Sequence, residues 1–406
     1  MTVTIHPGQA VGTVAAPPSK SVAHRLLICA GLSMGTSHIH GVDMNEDISA
    51  TIDCLRALGA SCTVSGDTVT VKGVDITGTK PSEILRCRES GSTLRFFIPL
   101  GLLCGETVDF TGTEKLLSRP LGIYAQLCAE RNFTFEQSTT LLRIKGRLEA
   151  GSFRVPGDVS SQFITGLLFA LPLLGGDSVI RITPPVESLG YINLTLQALH
   201  TFGIQAMWQD SCTLLIPGNQ HYTPVDMHVE GDYSGAAFYA ALNALGGDIS
   251  ITGLSPDSLQ GDKVYQQHLQ SLCAGCPVID ISQCPDLGPV LFAVAAAKNG
   301  AIFTGTRRLK IKESDRATAM AQELAAFGTR VTVEENRVVI DAEAFHSPAE
   351  ALYGHNDHRI VMALAVLLTL TGGKLAGAQA VRKSFPDFFE KLQTLGIEVI
   401  TDETDK

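Results

Sequence analysis

The sequence predicts an α/β fold in two domains, each made of three βαβαββ units, with helices inside and sheets facing outward. Three observations carry this expectation. One pattern recurs six times along the 406 residues, at a period of about 70 residues. Every copy has one helix that is apolar all round and a second that is amphipathic. A helix without a polar face must be covered on every side, so the first helices of the units are expected to pack on one another beneath the sheets. With 45% hydrophobic residues, a chain of this length can bury a substantial core and favours more than one domain.

Each unit opens on a polar cluster that precedes the apolar helix. The six clusters are Ser19-Lys20-Ser21, Glu89-Ser90-Gly91-Ser92, Asp158-Val159-Ser160-Ser161, Asp232-Tyr233-Ser234-Gly235, Pro285-Asp286-Leu287-Gly288 and Asn356-Asp357-His358-Arg359. The first helix is expected to be capped by Ser19 and stopped by Gly31. Short strands follow the apolar runs, near 37–41, 107–112, 178–182, 248–253, 301–305 and 374–377. The amphipathic helices close on Leu-x-x-Leu/Phe-Gly at 55–59, 199–203, 324–328 and 392–396, where glycine supplies the left-handed cap. Hairpins complete the units, clearest at 61–71 around Ser65-Gly66-Asp67 and at 330–340 around Glu334-Glu335-Asn336.

Composition narrows the function. A net charge of -10 argues against a general nucleic-acid or anionic-membrane binder, so an anionic ligand would need a locally basic cleft. The first ten residues lack a basic stretch followed by an apolar one, and the longest apolar runs are too short to span a bilayer. The cytoplasm is the expected location. The ten cysteines are mostly isolated among apolar residues and read as reduced core thiols. Cys273-Ala274-Gly275-Cys276 has no second pair at zinc-ligand spacing, so no metal is expected.

The polar clusters carry more charge than caps need. Lys20 and Arg25 flank one helix start, where unpaired backbone N–H groups and the helix dipole already favour an anion. Arg95 lies one turn into the second apolar helix, Arg119 precedes Pro120, and Ser160-Ser161-Gln162 offers two hydroxyls and an amide. Lys310-Ile311-Lys312-Glu313-Ser314-Asp315-Arg316 mixes signs in a way that also suits a solvated helix face. Asn356-Asp357-His358-Arg359 abuts the apolar run 360–370, where charge is costly unless used, and Lys383-Ser384-Phe385-Pro386-Asp387 precedes the last helix. The fourth start has no cation and reads as a cap alone. Gly78-Thr79-Lys80 lacks the spacing of a nucleotide loop, and no helix start contains a cysteine nucleophile. If three units make one domain and three the other, two sets of helix N-termini can face a shared cleft lined by these clusters.

In order along the whole chain, these motifs resemble the EPSP synthases (3-phosphoshikimate 1-carboxyvinyltransferases), enolpyruvyl transferases of the shikimate pathway and the target of glyphosate. The resemblance rests on Ser19-Lys20-Ser21 with Arg25, Gly91-Ser92-Thr93-Leu94-Arg95, Arg119-Pro120, Ser160-Ser161-Gln162, Pro285-Asp286, Lys312 to Arg316, Asn356 to Arg359 and Lys383 to Asp387. It implies residues 16–228 as one three-unit domain and 1–15 with 229–406 as the other, the active site lying in the cleft between them. The reaction implied is transfer of the enolpyruvyl group of phosphoenolpyruvate to the 5-hydroxyl of shikimate 3-phosphate. The enzyme is then a monomer without cofactor or metal, with these two small molecules as its partners.

The resemblance assigns Lys20, Ser21, Arg25, Ser160, Ser161, Gln162, Ser188, Tyr191, Asp286 and Lys312 to shikimate 3-phosphate. It assigns Lys20, Gly91, Arg119, Gln162, Arg316, Arg359 and Lys383 to phosphoenolpyruvate. Asp286 and Glu313, with Lys20 and neighbouring His358, are the implied acid and base set. Glu89, Ser90 and Arg308 stand where many relatives carry other residues, which bears on glyphosate response and phosphate contacts. The sister transferase acting on UDP-N-acetylglucosamine is a rival, expected to show Lys-Asn at the first helix and a loop cysteine. A non-catalytic anion-binding scaffold is another, and it would have no need of Asp286 and Glu313.

Overall fold

Strand pairing repeats through the chain, and the places where it breaks are the informative ones. The structure is a computed structural model that describes residues 1–342 and 345–402. It falls into two compact units, Met1–Pro17 with Gly231–Lys406, and Pro18–Glu230.

In the unit Pro18–Glu230 three four-stranded sheets share one order. The strand leading into a core helix lies at the edge, parallel to the strand that leaves it, and a hairpin completes the sheet antiparallel. Leu85–Arg86 and Thr107–Thr111 pair in this way beside the hairpin Thr134–Gln137 and Leu142–Lys145. Ser152–Pro156 and Ser178–Thr183 do so beside Met207–Asp210 and Thr213–Ile216. The first repeat borrows its edge strand, Asp226–His228, from the end of the unit and sets it parallel to Thr36–His40.

The discontinuous unit has one complete copy of this arrangement, Val278–Asp280, Ala301–Thr304, Arg337–Asp341 and Arg330–Val333. Its last sheet pairs Leu352–Tyr353 with Gly373–Ala376 and fills the inner hairpin position with the chain's first strand, Thr2–Ile5, beside Val399–Asp402. The fourth repeat departs from the expected βαβαββ pattern, since its sheet has only Val11–Ala15 and Asp248–Thr252. The reason is length: only Gly275, Cys276 and Pro277 separate the helix Tyr265–Ala274 from the next strand, too few residues for two further strands. Val11–Ala15 thus leads into one core helix but pairs beside another, and Asp226–His228 makes the reverse exchange.

Six core helices, Lys20–Leu32, Gly91–Leu103, Ser161–Ala170, Tyr233–Ala244, Gly288–Ala297 and His358–Thr371, are buried over almost their whole length. Each unit has its own apolar cluster, one including Leu27, Phe97 and Leu168, the other Phe238, Phe292 and Leu364. Complete burial of such a side chain contributes about 1.5–3 kcal/mol before chain entropy is counted. The strands bury alternate residues, as Val69 and Val71 or Val338 and Ile340 do, so each sheet covers the helices with one face.

Two expectations about the first helix are corrected. It runs through Gly31 to Leu32, because a Cβ at residue 31 would collide with Leu55 and glycine is needed there for close packing. Ser19 occupies the N-cap position, but its side chain makes no cap bond. Ser90, Ser160, Asp232 and Asp357 do cap their helices.

Candidate active site

In the unit Pro18–Glu230 side chains singled out in the sequence gather at helix starts. Lys20 pairs with Asp47 at 2.7 Å, a carboxylate in the first turn of the helix Glu46–Ala57. One turn on, Arg25 donates from Nε to Thr195 Oγ1 at 2.9 Å, and from its two terminal nitrogens to the Ser21 and Tyr191 carbonyls at 2.6 and 3.0 Å. Burial lowers its pKa to about 10, so it remains a cation at neutral pH. Ser188 starts the helix Leu189–Thr201 with a left-handed backbone (φ 56°) and brings Tyr191 to Arg25.

The second and third helix starts meet through Gln162. Its Oε1 accepts from Arg95 Nη1 at 2.7 Å and its Nε2 donates to Ser92 Oγ at 2.9 Å. Ser160 caps the Gln162 amide at 3.3 Å, and Ser161 is the first residue of that helix. Gly91 faces Arg119: a Cβ there would lie 2.6 Å from Arg119 Nη1 and 3.0 Å from Arg95 Nη1. Arg119 is buried, and its Nε and Nη2 have no hydrogen-bond partner, which marks a cation suited to an anion. Beneath these groups His24 Nδ1, Thr51 Oγ1, Thr93 Oγ1 and Ser90 Oγ form a buried chain with three spacings of 2.8 Å. Burial, then Lys20 and Arg25, hold the His24 pKa well down, so that imidazole is neutral.

In the discontinuous unit one guanidinium gathers three carboxylates. Arg316, 1% exposed, donates from Nε to Asp357 at 2.9 Å, from Nη1 to Asp286 at 2.9 Å and from Nη2 to Glu313 at 2.7 Å. Asp286 also meets Lys312 Nζ at 3.1 Å and Arg359 Nη2 at 3.3 Å. Burial alone would raise the Asp286 pKa, but Arg359, Lys312 and Arg316 together hold it well below the usual carboxylate range. Burial likewise opposes ionisation of Asp357, and Arg316 outweighs it. Lys312 has its pKa lowered by burial, against the pull of Asp286. His358 Nδ1 stands 4.0 Å from Asp357, and Lys383 Nζ donates to the Asn356 carbonyl at 2.6 Å.

Such a set can bind anionic oxygens and move protons at two carboxylates, Asp286 and Glu313. A sequence model of the family described as EPSP synthase (3-phosphoshikimate 1-carboxyvinyltransferase) matches residues 5–278 and 269–392. The 3-phosphoshikimate 1-carboxyvinyltransferase of Clostridium kluyveri is 41% identical over 98% of this chain and 98% of its own length. The chain belongs to the EPSP synthase family. That of Clostridium perfringens is 40% identical over 97% of this chain and 98% of its own. Among solved structures, an EPSP synthase from Acinetobacter baumannii superposes with a TM-score of 0.79 at 23% identity, covering 98% of this chain and all of that one. The enolpyruvyl transferase NikO from Streptomyces tendae superposes at 0.75 with 16% identity, over 98% of each chain, and shares the fold.

Placed on this EPSP synthase fold, the residues singled out in the sequence form groups within each unit. Asp286 joins Lys312, Arg316 and Arg359, and Arg316 in turn joins Glu313, while Gly91 adjoins Arg119 and Arg95, and Arg95 bonds Gln162. The fourth helix start, read from sequence as a cap alone, does more: Ser234 Oγ accepts from Arg359 Nη1 at 2.5 Å. Three participants were missed. Asp47, which pairs with Lys20, and Asp262, which hydrogen-bonds Ser234, were not singled out in the sequence, and Ser234 belonged to a start read as a cap. Arg308, one of the departures from the family pattern, is buried and donates to the Ser282 carbonyl. Ser90, another, caps the Thr93 amide and accepts the Thr93 hydroxyl. Among the described residues there is no cluster of metal-ligating side chains and no helix long and apolar enough to cross a membrane.

Proposed function

We propose that this chain transfers the enolpyruvyl group of phosphoenolpyruvate to the 5-hydroxyl of shikimate 3-phosphate, releasing phosphate through a tetrahedral intermediate. The observation that carries the reading is Asp286, a carboxylate held among Arg316, Arg359 and Lys312 while Glu313 shares Arg316, in a chain of the EPSP synthase family. Two anions must be brought together, and like unit charges about 4 Å apart repel by about 4 kcal/mol at an effective dielectric near 20. The cations offset that repulsion. Lys20, Gly91, Arg119, Gln162, Arg316, Arg359 and Lys383 serve phosphoenolpyruvate. Ser21, Arg25, Ser160, Ser161, Gln162, Ser188, Lys312 and Asp286, with Lys20, serve shikimate 3-phosphate.

In the addition step the 5-oxygen bonds to C2 of phosphoenolpyruvate as its proton passes to Asp286, and the methylene carbon takes a proton from Glu313 or Lys20. Elimination reverses the proton traffic: the new methyl group loses a proton as the C2–phosphate bond breaks. Each such transfer is worth about 10²- to 10⁴-fold in rate. Without substrate Asp286 is too tightly held to be a good base. An anion that draws Arg359 and Arg316 toward itself loosens that hold and raises the basicity of Asp286, so binding prepares the base. Arg316 must redirect at least one N–H from a carboxylate to take this part. His358, buried beside Asp357, adjoins the set and serves to support it.

Phosphate release from phosphoenolpyruvate tests the reading, measured with shikimate 3-phosphate and separately with UDP-N-acetylglucosamine. Turnover with the first alone is expected. Turnover with the sugar nucleotide would establish the sister reaction, and turnover with neither would leave an anion-binding scaffold. The cytoplasm is the location and the monomer the state that fit this reading.

A further inference from the structure

In the fourth repeat the segment between the strand Asp248–Thr252 and the helix Tyr265–Ala274 reaches back to the start of the core helix. Gln260 Oε1 accepts from the Tyr233 amide at 2.9 Å and Gln260 Nε2 donates to the Gly231 carbonyl at 2.8 Å, clamping the helix start from both sides. Two residues on, in the turn Gly261–Val264, Asp262 is 3% exposed and hydrogen-bonds the Ser234 side chain. Ser234 Oγ accepts from Arg359 Nη1 at 2.5 Å, which leaves its own hydroxyl proton to donate to Asp262. Arg359 also meets the Asp286 carbonyl at 3.1 Å and the Asp286 carboxylate at 3.3 Å. One guanidinium is therefore anchored to a carboxylate directly and to a second through a hydroxyl.

The addition and elimination steps have no use for Asp262. We infer that Asp262 is a positioning residue for Arg359, acting through the Ser234 hydroxyl to hold the guanidinium in the orientation that receives phosphoenolpyruvate. The inference rests on the function proposed above. An arginine anchored only to Asp286 would follow the movements of that carboxylate during proton transfer. A second anchor fixes its plane independently of the base.

The electrostatic surroundings make the anchor sensitive to pH. Burial, followed by the negative charge of Asp286, raises the Asp262 carboxyl to about 6, with Asp232 acting in the same direction and Arg359 and Ser234 opposing. Burial and then Asp262 itself push the nearby Cys284 thiol well up, so it stays neutral. Above pH 6 Asp262 is ionised and accepts strongly from Ser234; below it the carboxyl is neutral and the anchor weakens.

The test is steady-state kinetics of the full chain. Asp262→Ala and Ser234→Ala are expected to raise KM for phosphoenolpyruvate about tenfold, leaving KM for shikimate 3-phosphate within about twofold. Asp262→Asn keeps an acceptor oxygen without the charge, so its KM should lie between. The substrate phosphates titrate alike for both proteins, so the wild-type to Asp262→Asn ratio of kcat/KM for phosphoenolpyruvate isolates Asp262. That ratio should fall toward one below pH 6. A KM for phosphoenolpyruvate unchanged in both alanine variants, a rise shared equally by both substrates, or a ratio flat with pH would each overturn the role. Should Asp262→Ala fail to fold, Ser234→Ala and Asp262→Asn decide. Absence of turnover by the wild type would overturn the parent function and this inference with it, whereas unaltered variants of an active wild type overturn the inference alone.

Discussion

Removing the Asp357 carboxylate should destabilise the discontinuous unit more than removing any partner of a surface pair. Asp357 is fully buried and accepts from four donors: Arg316 Nε at 2.9 Å, Arg316 Nη2 at 3.3 Å, Ser314 Oγ at 3.0 Å and the Arg359 amide at 3.0 Å. Truncating one partner of a buried ion pair costs about 3–5 kcal/mol, since the remaining charge stays buried. Arg316 keeps Asp286 and Glu313, which places Asp357→Ala near the low end, and the lost helix cap adds about 1 kcal/mol. The expected total is about 4 kcal/mol. Asp357→Asn retains the cap oxygen but turns an amide toward Arg316, for about 2 kcal/mol. Urea titration followed by far-ultraviolet circular dichroism reads both values. A loss below about 1 kcal/mol for the alanine variant would show that the buried network is not held as its geometry requires. The same carboxylate has a sign in pH: its folded pKa is depressed, so its stabilisation is present above the ordinary carboxylate range near 4 and is lost as pH falls through the lower folded value. Asp357→Ala should flatten that part of the stability profile.

Three further outcomes concern the reaction. Asp286→Asn is expected to bind both substrates yet lose turnover by about 10²- to 10⁴-fold, read by substrate titration against initial rates; near-wild-type kcat would remove Asp286 from the proton steps. Gly91→Ala places a methyl group 2.6 Å from the mobile end of Arg119, so KM for phosphoenolpyruvate should rise while the thermal midpoint hardly moves. An unchanged KM would separate Gly91 from that substrate. Lys20→Arg keeps a cation beside Asp47 but cannot place one proton donor at the same point; phosphoenolpyruvate binding by calorimetry should persist as kcat falls, and an unchanged kcat would leave Lys20 with binding alone.

Much of the architecture was legible because it rests on local chemistry. Apolar runs too hydrophobic to tolerate solvent, serine and aspartate before them and glycine after the amphipathic helices specify the repeated elements without reference to tertiary contacts. Arg359 stood out because charge beside an apolar helix is costly unless it has a use, whereas Asp286 and Glu313 were singled out through the family resemblance, the run around Glu313 suiting a solvated helix face equally well. The missing hairpin of the fourth repeat was also decided locally, by the three residues left before the next strand. The neighbouring hairpins obscured it.

What the linear order could not show is who partners whom. Lys20 meets Asp47 across 27 positions, Arg316 meets Asp357 across 41, and Arg359 meets Ser234 across 125. Hydrogen bonds and ion pairs act over about 3 Å, and separation along the chain does not predict separation in space. The sequence by itself determined the six helix starts, the kinds of charge they carry and the repeat that brings them to similar positions. Only the tertiary structure decided that Arg316 binds three carboxylates at once, that the first strand closes the last sheet, and that a stretch without periodicity delivers Asp262 to the fourth helix. Those are properties of packing, where the burial that stabilises each unit also determines which charges must find one another.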